Sequence, residues 1–156
     1  MKKLLSLFVL AFTACAMNAQ INLQSAHIKL NYATEREQVG IGAQARLGIT
    51  QNLRISPDAI IYFPKNHTTA LDVNANLEYA IPLQSNASLY PLAGISMVNT
   101  RYSYKGISNS NTEFGFNLGA GFDYNFSSKN YVNIEYRYTF NDWDFSSFSI
   151  GYGFKF

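Results

Sequence analysis

Ser25 and His27 stand two residues apart in "QSAHIKL", the closest approach in this chain to a nucleophile beside a base. In an extended backbone residues i and i+2 share a face, so the pair could serve acyl transfer if a carboxylate oriented the imidazole. Both sit near one end of their segment and on its interior side, where a lipid acyl chain would not reach, and His27 reads as an interior hydrogen-bonding residue. His67, in "PKNHTT" beside Lys65, Thr68 and Thr69, is the second candidate base, and only Glu35 or Asp142 acting through space would orient it. Two isolated histidines also make a poor metal set. Asp142 and Asp144 flank Trp143 in "NDWD", which reads as a solvated hairpin loop with an interfacial ring. We assign no catalytic residue, metal ligand or cofactor. Tyr102, Tyr104 and Lys105 remain as a candidate surface contact.

The opening "MKKLLSLFVLAFTACAMNAQ" carries two lysines, an apolar run from Leu4 to Phe12 and then small residues. The run is too short for a membrane-spanning helix and reads as a cleaved export signal, residues 1–19, ahead of one domain over 20–156. Cleavage falls after Ala19 or after Ala16; a third option is lipidation of Cys15 in "FTAC". With Cys15 the only cysteine, a disulfide framework and a Cys-based zinc site are excluded from the exported domain. Without Lys2 and Lys3 the 12 basic residues fall to 10, against 10 acidic, so nothing points to nucleic acid.

The elements that would position these groups are strands. A period of two recurs about eight times, with no helix-period stretch after the signal. Ala26, Ile28, Leu30 and Tyr32 alternate with His27, Lys29 and Asn31; Phe114, Phe116, Leu118, Ala120, Phe122 and Tyr124 alternate with Glu113, Gly115, Asn117, Gly119, Gly121 and Asp123. The ending "FSIGYGFKF" keeps the pattern to the last residue, whereas "LYPLAGISMVNTRY" carries apolar residues in both phases. The connections "TQN", "LQSN" and "SSKN" are short, and "ATEREQ", "PKNHTT", "SYKGISNSN" and "NDWD" are mostly longer and more charged. This is the meander of an up-and-down barrel with two unlike ends.

Charge and glycine decide which face points where. Lys29, Arg46, Arg54, Asp58, Asp72, Glu78, Glu113, Asp123, Glu135, Arg137 and Lys155 all fall on the non-apolar phase. A basic side chain facing lipid costs roughly 2–4 kcal/mol at the midplane, so this is the phase a lipid-facing barrel requires. Gly40, Gly42, Gly48, Gly115, Gly119, Gly121, Gly151 and Gly153 share that phase, where in a narrow interior they make room for long charged neighbours. The eleven charges read as a paired lumen network, and Asn133 on the same phase reads as tolerant of Ser. Strands of about ten residues, tilted ~40°, span the ~25 Å apolar band. Tyr32, Phe63, Tyr102, Phe140 and Trp143 would form one aromatic girdle, and Tyr79, Tyr124, Phe126 and Phe156 the other. The competing architecture is a secreted barrel or sandwich with these rings in its core. The expected fold is all-β: a transmembrane up-and-down antiparallel β-barrel of about eight strands behind a cleaved signal peptide.

"YPLAGISM", "GFNLGAGFDYNF" and the last strand carry a resemblance. Over its whole exported length the chain resembles the small eight-stranded outer-membrane barrels of the OmpX and OmpA transmembrane-domain type. Its last strand resembles their assembly signal at Ser149, Gly151, Phe154 and Phe156. The resemblance implies an outer-membrane location, contact with outer-membrane lipid and lipopolysaccharide, insertion by the barrel-assembly machinery, and a monomer. It implies a non-enzymatic protein contributing to envelope integrity or surface interaction, with a narrow low-conductance channel or a lipid-modifying enzyme as alternatives. Adhesive relatives carry long protruding loops. The longest expected here, from Tyr102 to Asn111, is short for that role.

Overall fold

The computed structural model describes residues 22–104, 107–142 and 144–156, with Tyr104 and Ile107 described by backbone alone. The export signal with its cleavage and lipidation positions, Lys105 and Trp143 therefore lie outside the described residues. Among the described residues nine strands follow one another: β1 (Asn22–Ala33), β2 (Gln38–Gly48), β3 (Leu53–Lys65), β4 (Thr68–Tyr79), β5 (Ile81–Gln84), β6 (Ala87–Tyr104), β7 (Ile107–Asn125), β8 (Asn130–Phe140) and β9 (Phe145–Lys155). β4 and β5 are separated by Ala80 alone and both pair with β6, so the nine strands make eight staves. Every pairing is antiparallel. The β1–β9 ladder, Ser25↔Lys155 to Ala33↔Ser147, and the β4–β6 ladder close the sheet into a barrel.

The side-chain alternation follows from this closure. Ile28, Leu30, Phe114, Phe116, Leu118, Ile134, Phe148 and Ile150 stand exposed on the outer wall, and Phe116 is 69% exposed. A continuous wall of such residues is tenable only against lipid, since water-facing surfaces carry apolar patches of a few hundred Å² at most. Inside, Lys29, Arg46, Asp58, Asp72, Glu78, Asp123, Glu135 and Arg137 are buried. The unphased stretch resolves as β6 with Tyr90, Leu92 and Val98 turned inward, which is why both of its phases looked apolar. Pro57, which has no N–H to donate, sits where the β2–β3 ladder skips from Gln44↔Asp58 to Leu47↔Ile55.

Two expectations are corrected. The connectors do not differ in length between the two ends: β3 and β4 are joined by Asn66 and His67 alone, both at positive φ (50° and 64°), the geometry of a tight hairpin turn. Residues read as loop instead extend the strands, so that β6 and β7 pair without a break out to Tyr104↔Ile107. Tyr102 also leaves the outer girdle. It shares its phase with Tyr90, Leu92 and Val98 and pairs with Thr68, so it stands on the inner face, over the barrel mouth.

Candidate functional site: lumen and protruding sheet edge

Two ion-pair clusters fill the lumen. Toward the turn end, Arg46 reaches Glu78 (3.1 Å) and Asp123 (3.0 Å), and Arg54 reaches the same two carboxylates (2.5 and 3.0 Å). At mid-height Lys29 lies 3.3 Å from Asp58 and 3.6 Å from Glu135, while Arg137 lies 2.8 Å from Asp58, 3.4 Å from Asp72 and 4.0 Å from Glu135. Neutral groups join the clusters. Gln44 accepts from Lys29 and donates to Glu78, both at 2.8 Å. Asn133 donates to Asp123 (2.8 Å) and to the Tyr90 hydroxyl (2.7 Å), which donates to Glu135 (2.9 Å). Pairing of this kind is the condition on which buried charge is tolerated. Above the clusters Ala33, Ile60, Tyr62, Ala70, Val98 and Phe145 form an apolar layer, with the Arg36 guanidinium 4.2 Å over the Phe145 ring.

Glu113 and Lys155 keep their phase but stand apart from these clusters, with no ion pair among the described residues. Both lie near the rims, where the barrel is open: Lys155 is exposed, and Glu113, half-buried, accepts from the Asn111 amide at 2.7 Å.

Among the described residues, three lumen glycines lie beside a tyrosine of a neighbouring strand. The Tyr131 ring of β8 lies across Gly153 of β9, and its hydroxyl meets Ser25 Oγ (3.1 Å) and His27 Nδ1 (2.9 Å) on β1. Tyr90 of β6 lies across Gly121 of β7 and reaches Asn133 and Glu135 of β8. Tyr62 of β3 passes Gly40 of β2 and accepts from Asn31 of β1 at 2.6 Å. Each tyrosine thus ties its strand to the one two places away.

The candidate chemistry disperses. Ser25 and His27 are linked through Tyr131 and buried in the lumen, away from lipid. Glu35, proposed as an orienting carboxylate for His67, instead accepts from the Thr34 hydroxyl and from the Ser146 N–H (2.6 Å). Slight burial pushes its carboxyl up, and these hydrogen bonds together outweigh that, leaving it below the ordinary carboxylate range. Asp144 caps its own loop, accepting from the Asn141 N–H (2.9 Å) and the Tyr138 hydroxyl (3.3 Å). Among the described residues no group of three His, Cys, Asp or Glu is placed to hold a metal ion. Of the last-strand residues, Ser149 and Gly151 face the lumen, while Phe154 and Phe156 are exposed.

At the loop end one sheet edge is open. β7 pairs with β6 to Ile107, but its ladder with β8 stops at Phe116↔Phe140, and Gly115 still lies against the Phe140 carbonyl and Asn141. Among the described residues, residues 107–114 have a partner strand on one side only. Strand tilt accounts for an offset of about one residue between neighbours ~4.8 Å apart, so this overhang is a true protrusion. The opposite edge of the same sheet is closed. Gln38 Nε2 donates to the carbonyls of Phe63 (3.2 Å) and Thr68 (3.0 Å), and the Lys65 ammonium bonds Glu37. That hydrogen bond, and then the lysine charge, hold the Glu37 carboxyl below its ordinary range.

A model of the outer membrane protein beta-barrel domain family matches residues 6–156. No curated protein matches the chain. Among solved structures it is similar to the N-terminal β-barrel domain of Pseudomonas aeruginosa OprF, at 14% identity and TM-score 0.71, over 86% of this chain and 98% of that one. It is similar to Ail, the attachment invasion locus protein of Yersinia pestis, at 16% identity and TM-score 0.64, over 86% of this chain and 100% of that one. Neisserial surface protein A matches at 17% identity and TM-score 0.66, over 84% and 93%. At these identities the likeness is one of fold.

Proposed function

Because the chain belongs to the outer membrane protein beta-barrel domain family, and with that family to the outer membrane, we propose that it is a non-enzymatic surface-interaction protein acting through the free edge of β7. The observation that carries the reading is the contrast between the two edges of the protruding sheet, one capped by Gln38 and the other, among the described residues, bare over 107–114. A bare edge offers a row of backbone donors and acceptors to an incoming strand, and soluble folds ordinarily blunt such edges with Lys, Pro or a covering loop. Here the described stretch Ser108–Phe114 holds no Lys or Pro. The attachment role in the printed name of Ail, which shares the fold, agrees with this reading; the stretch that is short for an adhesive loop is in its described part a strand edge, which binds by pairing and not by loop length. Tyr102 stands on the β6 side of the same hairpin, and Tyr104 and Lys105 follow it in sequence as further proposed contacts.

The filled lumen is consistent with a scaffold that passes little solute, held as a monomer in outer-membrane lipid with lipopolysaccharide around the loop end. Ser149, Gly151, Phe154 and Phe156 serve insertion by the barrel-assembly machinery, after export by the N-terminal signal. The test replaces residues 100–111 with a two-residue Asn-Gly turn, with folding checked by heat-modifiable gel mobility. Attachment of expressing cells to cultured epithelial cells should fall while detergent resistance is kept. Unchanged attachment at equal surface level overturns the reading.

A further inference from the structure

The two-fold symmetry available to the free edge constrains what can occupy it. Two copies in one membrane are related by an axis along the membrane normal, which leaves their β7 strands running the same way. It also turns identical backbone rows toward each other, so no ladder forms between them. A head-to-tail contact within one membrane would need the far edge of the sheet, at β3, and Gln38 and the Glu37–Lys65 pair close it. An axis in the membrane plane behaves differently. It reverses the strand and the membrane normal together, and so brings two β7 edges into antiparallel pairing from membranes that face each other.

The residues suit such a pairing. Side-chain faces match only if the register is centred on a residue, because opposed residues must share a parity. Centred on Asn111, the described stretch Ser108–Phe114 pairs wholly with itself. Asn111 then faces its own copy, Ser110 faces Thr112, Asn109 faces Glu113 and Ser108 faces Phe114. No like charges are opposed, and the hydroxyl and amide pairs are of kinds that stabilise cross-strand contacts. We propose that this edge makes a homotypic contact in trans, joining a copy of the chain in one outer membrane to a copy in another through a continuous sheet centred on Asn111. The proposal rests on the surface-interaction reading above and names its partner. A single short ladder is weak, and many copies across two apposed membranes supply the avidity.

Charges of either sign introduced at the two-fold centre test it. Vesicles of neutral phospholipid carrying the full barrel, labelled with donor or acceptor lipid and reconstituted by detergent removal, are mixed and their tethering read by energy transfer and light scattering. Wild-type vesicles should tether each other and ignore bare vesicles. Asn111→Lys vesicles should lose about tenfold in tethering among themselves, as should Asn111→Asp vesicles, since each places like charges directly opposite. Mixing the Lys population with the Asp population should restore it. Heat-modifiable mobility shows that all three proteins are folded. Absence of wild-type tethering, equal tethering to bare vesicles, or failure of the mixed pair to recover overturns the homotypic contact. If it is overturned while epithelial attachment still depends on residues 100–111, the surface-interaction reading stands without it; if both fail, both fall.

Discussion

A Cβ placed on Gly153 would stand 2.3 Å from Cζ of Tyr131, so the ring occupies space that only a glycine leaves open. Through that space Tyr131 ties β8 to Ser25 and His27 of β1, across the seam where the first and last strands close the barrel.

Gly153→Ala should displace the ring and destabilise the barrel by about 1–3 kcal/mol. Tyr131→Phe leaves Ser25 and one ring nitrogen of His27 unpaired, at a similar cost of about 1–3 kcal/mol. The two effects should not add, because both act on one contact. Urea unfolding in lipid vesicles measures them, and full additivity in the double variant would count against the clasp.

Asp58 is the hub of the mid-height cluster, accepting from Arg137 (2.8 Å), Asn74 (2.9 Å) and Asn76 (3.3 Å), with Lys29 also 3.3 Å away. Asp58→Ala removes one partner of buried charges and should cost about 3–5 kcal/mol. Glu135→Ala should cost less, since Lys29 and Arg137 stand 3.6 and 4.0 Å from it. Planar-bilayer recording should find the parent nearly closed and Asp58→Ala leakier. Large, steady conductance from the parent would contradict a filled lumen.

Opposite faces of β8 should respond differently. Tyr136, exposed on the wall between Ala120 and Phe148, should lose roughly 2–4 kcal/mol on replacement by Arg if it lies near the midplane. Asn133→Ser, which the face pattern alone marks as tolerated, should cost about 1–3 kcal/mol, because it removes donors to Asp123 and Tyr90. Folding yield into bilayers and urea midpoints test the pair, and a neutral Asn133→Ser would remove that residue from the network.

Phe156 is 76% exposed, and its N–H donates to the Gln24 carbonyl at 3.0 Å. Deleting it should slow assembly by the insertion machinery far more than Lys155→Ala does, while spontaneous refolding in detergent stays close to the parent for both. Equal assembly of the two variants would remove Phe156 from the signal.

Alternation marked the strands, and the placement of the eleven lumen charges and the glycines opposite the apolar phase marked the face turned to lipid; closure into a barrel came with the β1–β9 and β4–β6 ladders. The phase of Lys29, Arg46, Asp58 and Glu135 was legible for that reason. Tertiary structure decided what those residues touch. Tyr131 and Tyr90 were not singled out from the other tyrosines, because the pairing of each with a glycine on the next strand depends on register, which alternation does not encode. β6 stayed unphased because its inward side carries apolar residues at both heights, Leu92 beside Glu78 toward the turn end and Val98 in the apolar layer near the loop end, so neither could be told from wall residues. The bare edge of β7 was the least legible. "SYKGISNSN" is rich in turn formers, and its described residues became strand because each gained a cross-strand partner within the β6–β7 ladder while β8 ended below it. Local composition favours turns through the chain's own conformational preferences; a ladder between residues that are neighbours only in the folded sheet overrides them.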